Sequence, residues 1–317
     1  MKKIILSLLL AFCLPLNVYP FSNVNFDEDE FLIDVFWDKV SSIADENRPK
    51  TALVLGGGGA RGFAHIGVFR VFEEEKIPVD LVVGTSIGSI AGAFFCAAIS
   101  LDELENLAQT INWKTVSNFG IPSLIGMIVK EELLSNEQME KFITANIGDL
   151  RFEDLKIPLV CVATDLNTGE RVLLREGSVA FAVRASSTLP GIFKPVEYRQ
   201  RYLVDGGLSE NIPVGVAKLF DPDVIVAVAV PADITKNNTD NVFTILMQSI
   251  YIQGRRFDDE NLSMADIVVR PDVADVSVAD ISHASKIIEK GFISAKQAVK
   301  SIKTTIINKT EAKYLIE

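Results

Sequence analysis

The stretch that decides the fold runs from Thr51 to Gly92 and reads TALVLGGGGARGFAHIGVFRVFEEEKIPVDLVVGTSIGSIAG. It alternates a short apolar strand, a glycine loop, a helix, a second strand at DLVV, a turn at Ser86 and a helix from Ile87 to Ile99. This alternation predicts an α/β domain whose strands are largely parallel and buried. Further strands are predicted at 158–163, 171–174, 224–230 and 267–269.

Composition limits the class of protein. The chain has 317 residues, of which 48% are hydrophobic, so it can fill the core of one large domain. Its 31 basic and 42 acidic residues give a net charge of −11, which argues against a nucleic-acid partner. Cys96 and Cys161 occur in apolar runs and are predicted to be buried free thiols. The sequence contains no Cys-x-x-Cys pair or Cys/His cluster, so we expect neither a metal nor an organic cofactor.

The N-terminus is typical of an export signal. Lys2 and Lys3 precede an apolar run from Ile4 to Leu14, which is too short for a spanning helix. Residues 1–20 are therefore predicted to be a signal peptide and the protein to be periplasmic, secreted or envelope-associated. A lipid anchor at Cys13 is the less favoured alternative, because bulky Phe12 precedes it.

Two flanking segments accompany the predicted domain at 50–305. Residues 21–49 form an acidic segment with apolar residues at helical spacing, predicted to pack on the domain, with an interfacial or lid element as the alternative. The C-terminal helix has an apolar stripe and lysines on a solvated face, with a lipid-surface role as the alternative, and 306–317 form a tail. The apolar positions are Leu32, Ile33, Phe36, Trp37 and Val40, then Ile288, Phe292, Ala295, Val299, Ile302 and Ile306.

The glycine loop LGGGGARGFAH, residues 55–65, follows a strand and opens a helix, which favours an anion site built from backbone amides. Residues 57–62 spell G-x-G-x-x-G, but the acid that a dinucleotide site requires is missing, because Asp80 precedes the next strand instead of following it. A Walker A loop is excluded, since no Lys-Ser or Lys-Thr pair follows.

The turn from Gly84 to Gly88 matches G-x-S-x-G between a strand and a helix, which predicts a strained nucleophile at Ser86. The chain has two histidines to serve as its base. His283 follows Asp280 and Ser282, which are expected to cap the last helix, and His65 lies on the helix after the glycine loop, where a packed role is favoured. Carboxylates remain, and Asp205 ends an apolar run before two glycines.

Three motifs, GGGGARG, GTSIG and the DGG turn at 205–207, resemble in order and spacing those of the patatin-like phospholipase family. The stretches RASSTLPGIFKPV (184–196), DGGLSENIPV (205–214) and DVADVSVADISHASKIIEKG (272–291) are similar to its later segments, so the likeness covers about Thr51 to Ala298. The resemblance implies a three-layer α/β/α patatin-like fold with a largely parallel central sheet.

The resemblance also implies a Ser-Asp dyad, with Ser86 as nucleophile, Asp205 as proton acceptor and the loop amides of Gly57, Gly58 and Gly59 as oxyanion hole. Since a free aspartate is a weak base, Asp205 needs desolvation. Arg61 is expected to order the loop, to contact phosphate or to be a structural anchor. Ser186 and Ser187 are read as pocket wall, and Asn211 and Pro213 as shaping the turn. The supporting glycines are Gly62, Gly84, Gly88, Gly206 and Gly207.

The implied function is a serine lipid acyl hydrolase that cleaves phospholipids or related acylated lipids through an acyl-enzyme. Peripheral membrane contact fits such a substrate. The alternatives are a thioesterase or general esterase with the same dyad, and a non-catalytic lipid-binding regulatory protein on this fold. A nicotinamide-dependent oxidoreductase is the third class, and it would bind its cofactor at residues 57–62.

Overall fold

The computed structural model describes residues 28–111, 133–231, 242–277 and 280–314. The predicted leader at 1–20 and the start of the acidic segment lie outside these ranges, as does the end of the predicted tail. The strands are β1 (Thr51–Leu55), β2 (Leu81–Thr85), β3 (Leu159–Asp165), β4 (Arg171–Leu174), β5 (Val196–Tyr198), β6 (Arg201–Asp205), β7 (Val224–Val228) and β8 (Ile267–Val269).

Helices occupy most of the remaining described chain. They are α1 (Glu28–Ser41), α2 (Ala64–Glu74), α3 (Ile87–Cys96), α4 (Leu101–Thr110), α5 (Glu137–Ile147), α6 (Val179–Ser186), α7 (Gly207–Glu210), α8 (Val214–Lys218), α9 (Val242–Leu262) and α10 (Ala284–Tyr314). Short 3₁₀ turns span Gly59–Phe63, Phe152–Asp154 and Ile281–His283. Because the first of these turns follows the glycine loop, α2 begins only at Ala64.

In the described residues, the strands form one eight-stranded sheet in the order β5–β6–β3–β2–β1–β7–β8, with β4 also paired to β3. The contacts β3–β2–β1–β7–β8 are all parallel, as predicted. Strands β4, β5 and β6 join antiparallel at the β3 side. The sequence did not predict β5, because this three-residue strand is only partly buried and has no apolar run.

The sheet lies between two helical layers, which confirms the three-layer α/β/α prediction. Because alternate side chains of a strand point to opposite faces, Leu53 and Leu55 of β1 join one apolar core and Ala52 and Val54 join the other. The larger core lies under α1–α6 and α10, and the smaller one lies under α8 and the end of α9. Cys96 and Cys161 are buried free thiols, as predicted.

The two flanking helices pack on each other and on α2. Trp37 of α1 is buried and its Nε1–H donates to the Glu75 carbonyl oxygen at 3.0 Å. Lys303 of α10 lies 2.8 Å from a Glu75 carboxylate oxygen and over the Trp37 ring. Lys303 is therefore buried, in contrast to the solvated lysine face that the sequence predicted.

Helix α10 continues past position 305, where the domain is predicted to end. Ile306, Ile307 and Thr310 are buried, so the helix carries its apolar stripe into the predicted tail. None of the helices in the described ranges is both long and apolar enough to cross a membrane. The same ranges contain no group of three His, Cys, Asp or Glu side chains placed to hold a metal ion.

Candidate active site

Ser86 occupies the sharp turn between β2 and α3. Its backbone has φ 55° and ψ −123°, a conformation that residues other than glycine rarely adopt. The chain turns this tightly because Gly84 and Gly88 pass within contact of their surroundings: a Cβ on Gly84 would lie 2.6 Å from Gly88, and one on Gly88 would lie 2.2 Å from the Leu55 carbonyl oxygen. The strained turn predicted at Ser86 is therefore present.

Strand β3 brings Ser86 and Asp205 together. Its residue Val162 pairs with Thr85 at the end of β2, and the next residue, Ala163, pairs with Asp205 at the end of β6. Strand β4 pairs with residues 161–164 of β3 along one edge. Strands β2 and β6 therefore share the opposite edge of β3, and β6 begins to pair where β2 ends. The residue after Thr85 is Ser86, so the nucleophile candidate and the carboxylate emerge side by side.

The two side chains are in direct contact. Ser86 Oγ–H donates to Asp205 Oδ2 at 2.6 Å, and the Gly207 amide donates to Asp205 Oδ1 at 2.8 Å. Asp205 is only 4% exposed, and this burial raises its pKa to about 6, although both hydrogen bonds act to lower it. A carboxylate with such a pKa is a better base than a free aspartate, and it is still ionised at neutral pH.

The glycine loop lies against this pair, but one of its three predicted donors is already used. The Gly57 amide donates to the Asn211 carbonyl oxygen at 3.0 Å. The amides of Gly58 and Gly59 have no acceptor among the described residues, and both glycines line a cavity that also contains Ser86. The prediction that the Gly57 amide is an oxyanion-hole donor is therefore wrong, whereas the amides of Gly58 and Gly59 remain candidates for that role.

The supporting residues are packing positions as well. Arg61 is buried and donates to the Val276 carbonyl oxygen at 3.3 Å, which favours the anchoring role among the three that the sequence left open. A Cβ on Gly62 would lie 2.3 Å from the Ile87 side chain, and one on Gly206 would lie 2.1 Å from the Val162 carbonyl oxygen. Both distances are too short for any residue other than glycine. At Gly207 it would lie 3.1 Å from Asp205 Oδ1.

Neither histidine contacts Ser86. His65 is fully buried and its Nε2–H donates to the Gly56 carbonyl oxygen at 2.9 Å, while burial lowers its pKa to about 4, so the ring is neutral. His283 is exposed, with Nδ1 3.0 Å from Asp280 Oδ2. Asp280 accepts from the Ser282 amide and so caps the 3₁₀ turn that precedes α10, instead of the last helix itself as predicted.

Three residues have roles that the sequence did not indicate. Ser186 Oγ accepts from the Ser86 amide at 3.0 Å and donates to the Val162 carbonyl oxygen at 2.6 Å, so it supports the nucleophile turn instead of lining the pocket. Asn211 Nδ2 donates to Asp258 Oδ2 at 3.1 Å. Asp258 lies on α9, more than 50 residues from Asp205 in the sequence, and no motif surrounds it.

Two cavities open onto Ser86. The first, about 140 Å³, has an almost wholly apolar lining from α3, α4 and α5 that includes Phe94 and Phe142, and we call it the apolar cavity. The second, about 80 Å³, contains Asp205, Asn211 and Asp258, and we call it the polar cavity. Ser187 lines the apolar cavity, as predicted for it, while Ser186 lines neither.

Comparison with known protein families decides the assignment. The family model for patatin-like phospholipases matches residues 53–218, which carry all three motifs and both members of the Ser86–Asp205 pair. The chain belongs to the patatin-like phospholipase family. Membership agrees with the fold described above and with the resemblance of the motifs.

Other members of the patatin-like family are similar over a part of their length. An uncharacterized NTE family protein of Mycobacterium tuberculosis is 33% identical over 187 residues, 59% of this chain and 51% of that protein. Patatin-like phospholipase domain-containing protein 6 of Mus musculus is 35% identical over 182 residues, 56% of this chain and 13% of that protein. The chain thus spans about half or less of these relatives. The solved structure of human GIVD cytosolic phospholipase A2 with methyl gamma-linolenyl fluorophosphonate aligns with a TM-score of 0.49 and 8% identity, over 92% of this chain and 65% of that one.

Proposed function

We propose that the protein is a serine lipid acyl hydrolase that cleaves carboxylic ester bonds of phospholipids or related acylated lipids. The observation that carries the proposal is the 2.6 Å contact between Ser86 Oγ and a buried Asp205 carboxylate at the mouth of an apolar cavity. A cavity with so apolar a lining suits an acyl chain. Peripheral contact with a lipid surface would deliver such a substrate to Ser86.

The proposed reaction has two steps. Ser86 Oγ attacks the acyl carbonyl carbon as its proton passes to Asp205, and the Gly58 and Gly59 amides stabilise the negative charge on the carbonyl oxygen. The tetrahedral intermediate then collapses, and Asp205 returns the proton to the departing alkoxide, which leaves an ester between Ser86 and the acyl group. Water, deprotonated by Asp205, next attacks this ester. The second tetrahedral intermediate collapses as Asp205 returns the proton to Ser86 Oγ, which releases the fatty acid and restores both side chains.

The test is Ser86→Ala in the full chain. We expect the variant to lose release of fatty acids from a mixed phospholipid extract, measured by mass spectrometry, and to lose labelling by a fluorophosphonate probe. Its thermal stability should be unchanged or higher, because the substitution removes only a hydroxyl. Ser263→Ala is the matched control, since Ser263 is exposed at the end of α9, and it should behave as the wild type.

Two outcomes would overturn the proposal. If folded Ser86→Ala retains most of the activity, Ser86 is not the nucleophile. If the wild type takes up no fluorophosphonate and releases no fatty acid, the protein is a non-catalytic member of the family. The lipid products in the wild-type reaction also separate a phospholipase from a thioesterase.

We further propose that residues 1–20 direct export. Fused as residues 1–25 to a reporter, the segment should carry the reporter out of the cytoplasm of a bacterial host, because two lysines precede an apolar run of signal-peptide length. Deletion of residues 4–14 from the fusion should leave the reporter inside, and cell fractionation measures both. Retention of the complete fusion in the cytoplasm would contradict the proposal.

A further inference from the structure

The two cavities at Ser86 differ in which part of the substrate they can hold, the acyl chain or the leaving alcohol. Ser86 lines both, but Asp205 lines only the polar cavity. In the proposed function, Asp205 returns the serine proton to the oxygen of the leaving alcohol, so that oxygen must depart on the side of Asp205. The acyl chain then occupies the apolar cavity, and the leaving group occupies the polar one.

The charge of the polar cavity is negative. Besides Asp205, it is lined by Asp258 of α9, which follows Ile250 and Gly254 on the helix face turned toward the cavity. Among the described residues that line it, none is Lys, Arg or His. A leaving group in this cavity therefore meets two carboxyl groups and no balancing cation from those residues.

The carboxylate of Asp258 is held by hydrogen bonds and meets no cation among the described residues that line the cavity. Its Oδ2 accepts one hydrogen bond from Asn211 Nδ2, whereas its Oδ1 is closed off from solvent and has no partner within the described residues. Burial raises its pKa to about 6, and the nearby carboxylates of Asp259 and Glu210 act in the same direction, although hydrogen bonds from the Asn211 side chain and the Ile212 backbone amide lower it. At pH 8 the group is ionised, and a second anion beside it is repelled.

We propose that the polar cavity is the leaving-group subsite and that it selects an uncharged, hydroxyl-bearing alcohol of the glycerol type over one that carries a phosphate. The proposal rests on the proposed function and narrows its substrate class toward acylglycerols. The net charge of −11 acts in the same direction, since a negative field around the protein slows the approach of anionic substrates.

The first experiment compares two substrates on the wild-type full chain at pH 8. They are 1-decanoylglycerol and its phosphate, the corresponding lysophosphatidic acid, which share one ester and one acyl chain. Both are used below the concentration at which they aggregate, and released decanoate is measured by mass spectrometry. We expect kcat/KM for the uncharged ester to be higher by about tenfold or more. The reason is that repulsion between two like charges in a partly buried site is large enough to change kcat/KM by this factor.

Three variants then identify the source of the selectivity. Asp258→Asn keeps the shape and the acceptor for Asn211 but removes the charge, and should lower the ratio of the two kcat/KM values several-fold. Asp259→Asn is the matched control, because it makes the same change of net charge at the next, exposed residue, and should leave the ratio within about twofold. Ile250→Lys, which places a cation at the same wall, should raise activity on the phosphate ester and still tests the proposal if Asp258→Asn folds poorly.

The outcomes separate this inference from the proposed function. Hydrolysis of neither ester, with no fluorophosphonate labelling, defeats the proposed function. Hydrolysis of both esters at similar kcat/KM, or an equal change of the ratio in Asp258→Asn and Asp259→Asn, defeats the leaving-group proposal alone. Selectivity that falls in Asp258→Asn and is retained in Asp259→Asn supports both.

Discussion

At the scale of single residues, Ser86 is held in a backbone conformation that costs about 1–3 kcal/mol and persists only where its neighbours enforce it. Ser186 is one such neighbour, because its hydroxyl accepts from the Ser86 amide and is itself fixed by the Val162 carbonyl oxygen. Contacts beneath the turn thus hold the serine side chain in place against Asp205.

The raised pKa of Asp205 predicts the pH dependence of the reaction. Asp205 must be ionised to accept the serine proton, so kcat/KM should fall about tenfold per pH unit below pH 6 and reach a plateau above it. Asp205→Asn preserves shape but cannot take a proton, and should lower kcat by about 10²–10⁴-fold. Steady-state kinetics with a soluble, uncharged ester between pH 4.5 and 9 measure both effects.

His283→Ala is the control for this assignment, because a Ser-His-Asp triad would use a histidine as the base. Its kcat/KM should remain within about tenfold of the wild type, a barrier change of ~1.4 kcal/mol, and the limb near pH 6 should persist. His65→Ala is expected to stay in the same range, with some loss of stability since His65 is buried. An inactive but folded His283→Ala would replace the dyad with a triad.

The sequence predicted the site residues that lie in recognisable local motifs. It did not predict those whose role depends on contacts with residues far away in the chain. Ser86 stands between glycines in a recognisable turn, and Asp205 precedes a glycine pair. In the sequence Gly57 is equivalent to the glycines that follow it, and only the fold shows that its amide donates a hydrogen bond to the Asn211 carbonyl oxygen. Asp258 is one acid among several on a polar helix, so nothing local distinguishes it from exposed Asp259.

At the scale of elements, α2 and α10 cross with their backbones in contact. A Cβ on Gly67 of α2 would lie 2.0 Å from the Ile288 carbonyl oxygen, and one on Gly291 of α10 would lie 2.0 Å from the Ala64 carbonyl oxygen. Both glycines therefore serve close approach, and neither has a positive φ. This crossing fixes α10 against the helix that follows the glycine loop.

Gly291→Ala should consequently destabilise the protein. Alanine favours a helix over glycine by ~1 kcal/mol, but the added methyl group cannot fit without separating the helices, so we expect a net loss of roughly 1–3 kcal/mol and a Tm lower by several degrees. Gly254→Ala on α9 is the matched control, because no atom lies within 4 Å of its Cβ position. It should raise stability, and equal destabilisation by both substitutions would show that the crossing is not the cause.

Elements were predictable where one apolar run makes one element. Strands β4 and β8 have the predicted bounds, whereas β2 extends past the predicted DLVV run to Thr85. The antiparallel pair β5–β6 was not foreseen as a pair, because β5 is short and its side chains are half exposed. The burial of Lys303 also escaped prediction, since it depends on Glu75 and Trp37, which come from two other helices.

At the scale of the whole molecule, the layers follow from the alternation of strands and helices, but the order of strands does not. Periodicity along the chain fixes which residues are buried, whereas the pairing of β3 with β2, β4 and β6 is decided by contacts far apart in sequence. Ser86 and Asp205 are 119 positions apart. The contact between these two side chains was implied by the family resemblance. Its physical cause is the pairing of β3 with both β2 and β6.

In the proposed function, ester hydrolysis depends on the register of β6 against β3, because that pairing places Asp205 beside Ser86. A slip of β6 against β3 by a single residue would turn the Asp205 side chain to the opposite face of the sheet, because successive side chains alternate. The slipped molecule would keep its helices and most of its hydrogen-bond ladders. Two preparations with the same circular dichroism spectrum can therefore differ completely in turnover, and the fraction of sites that react with a suicide substrate counts the correctly aligned molecules.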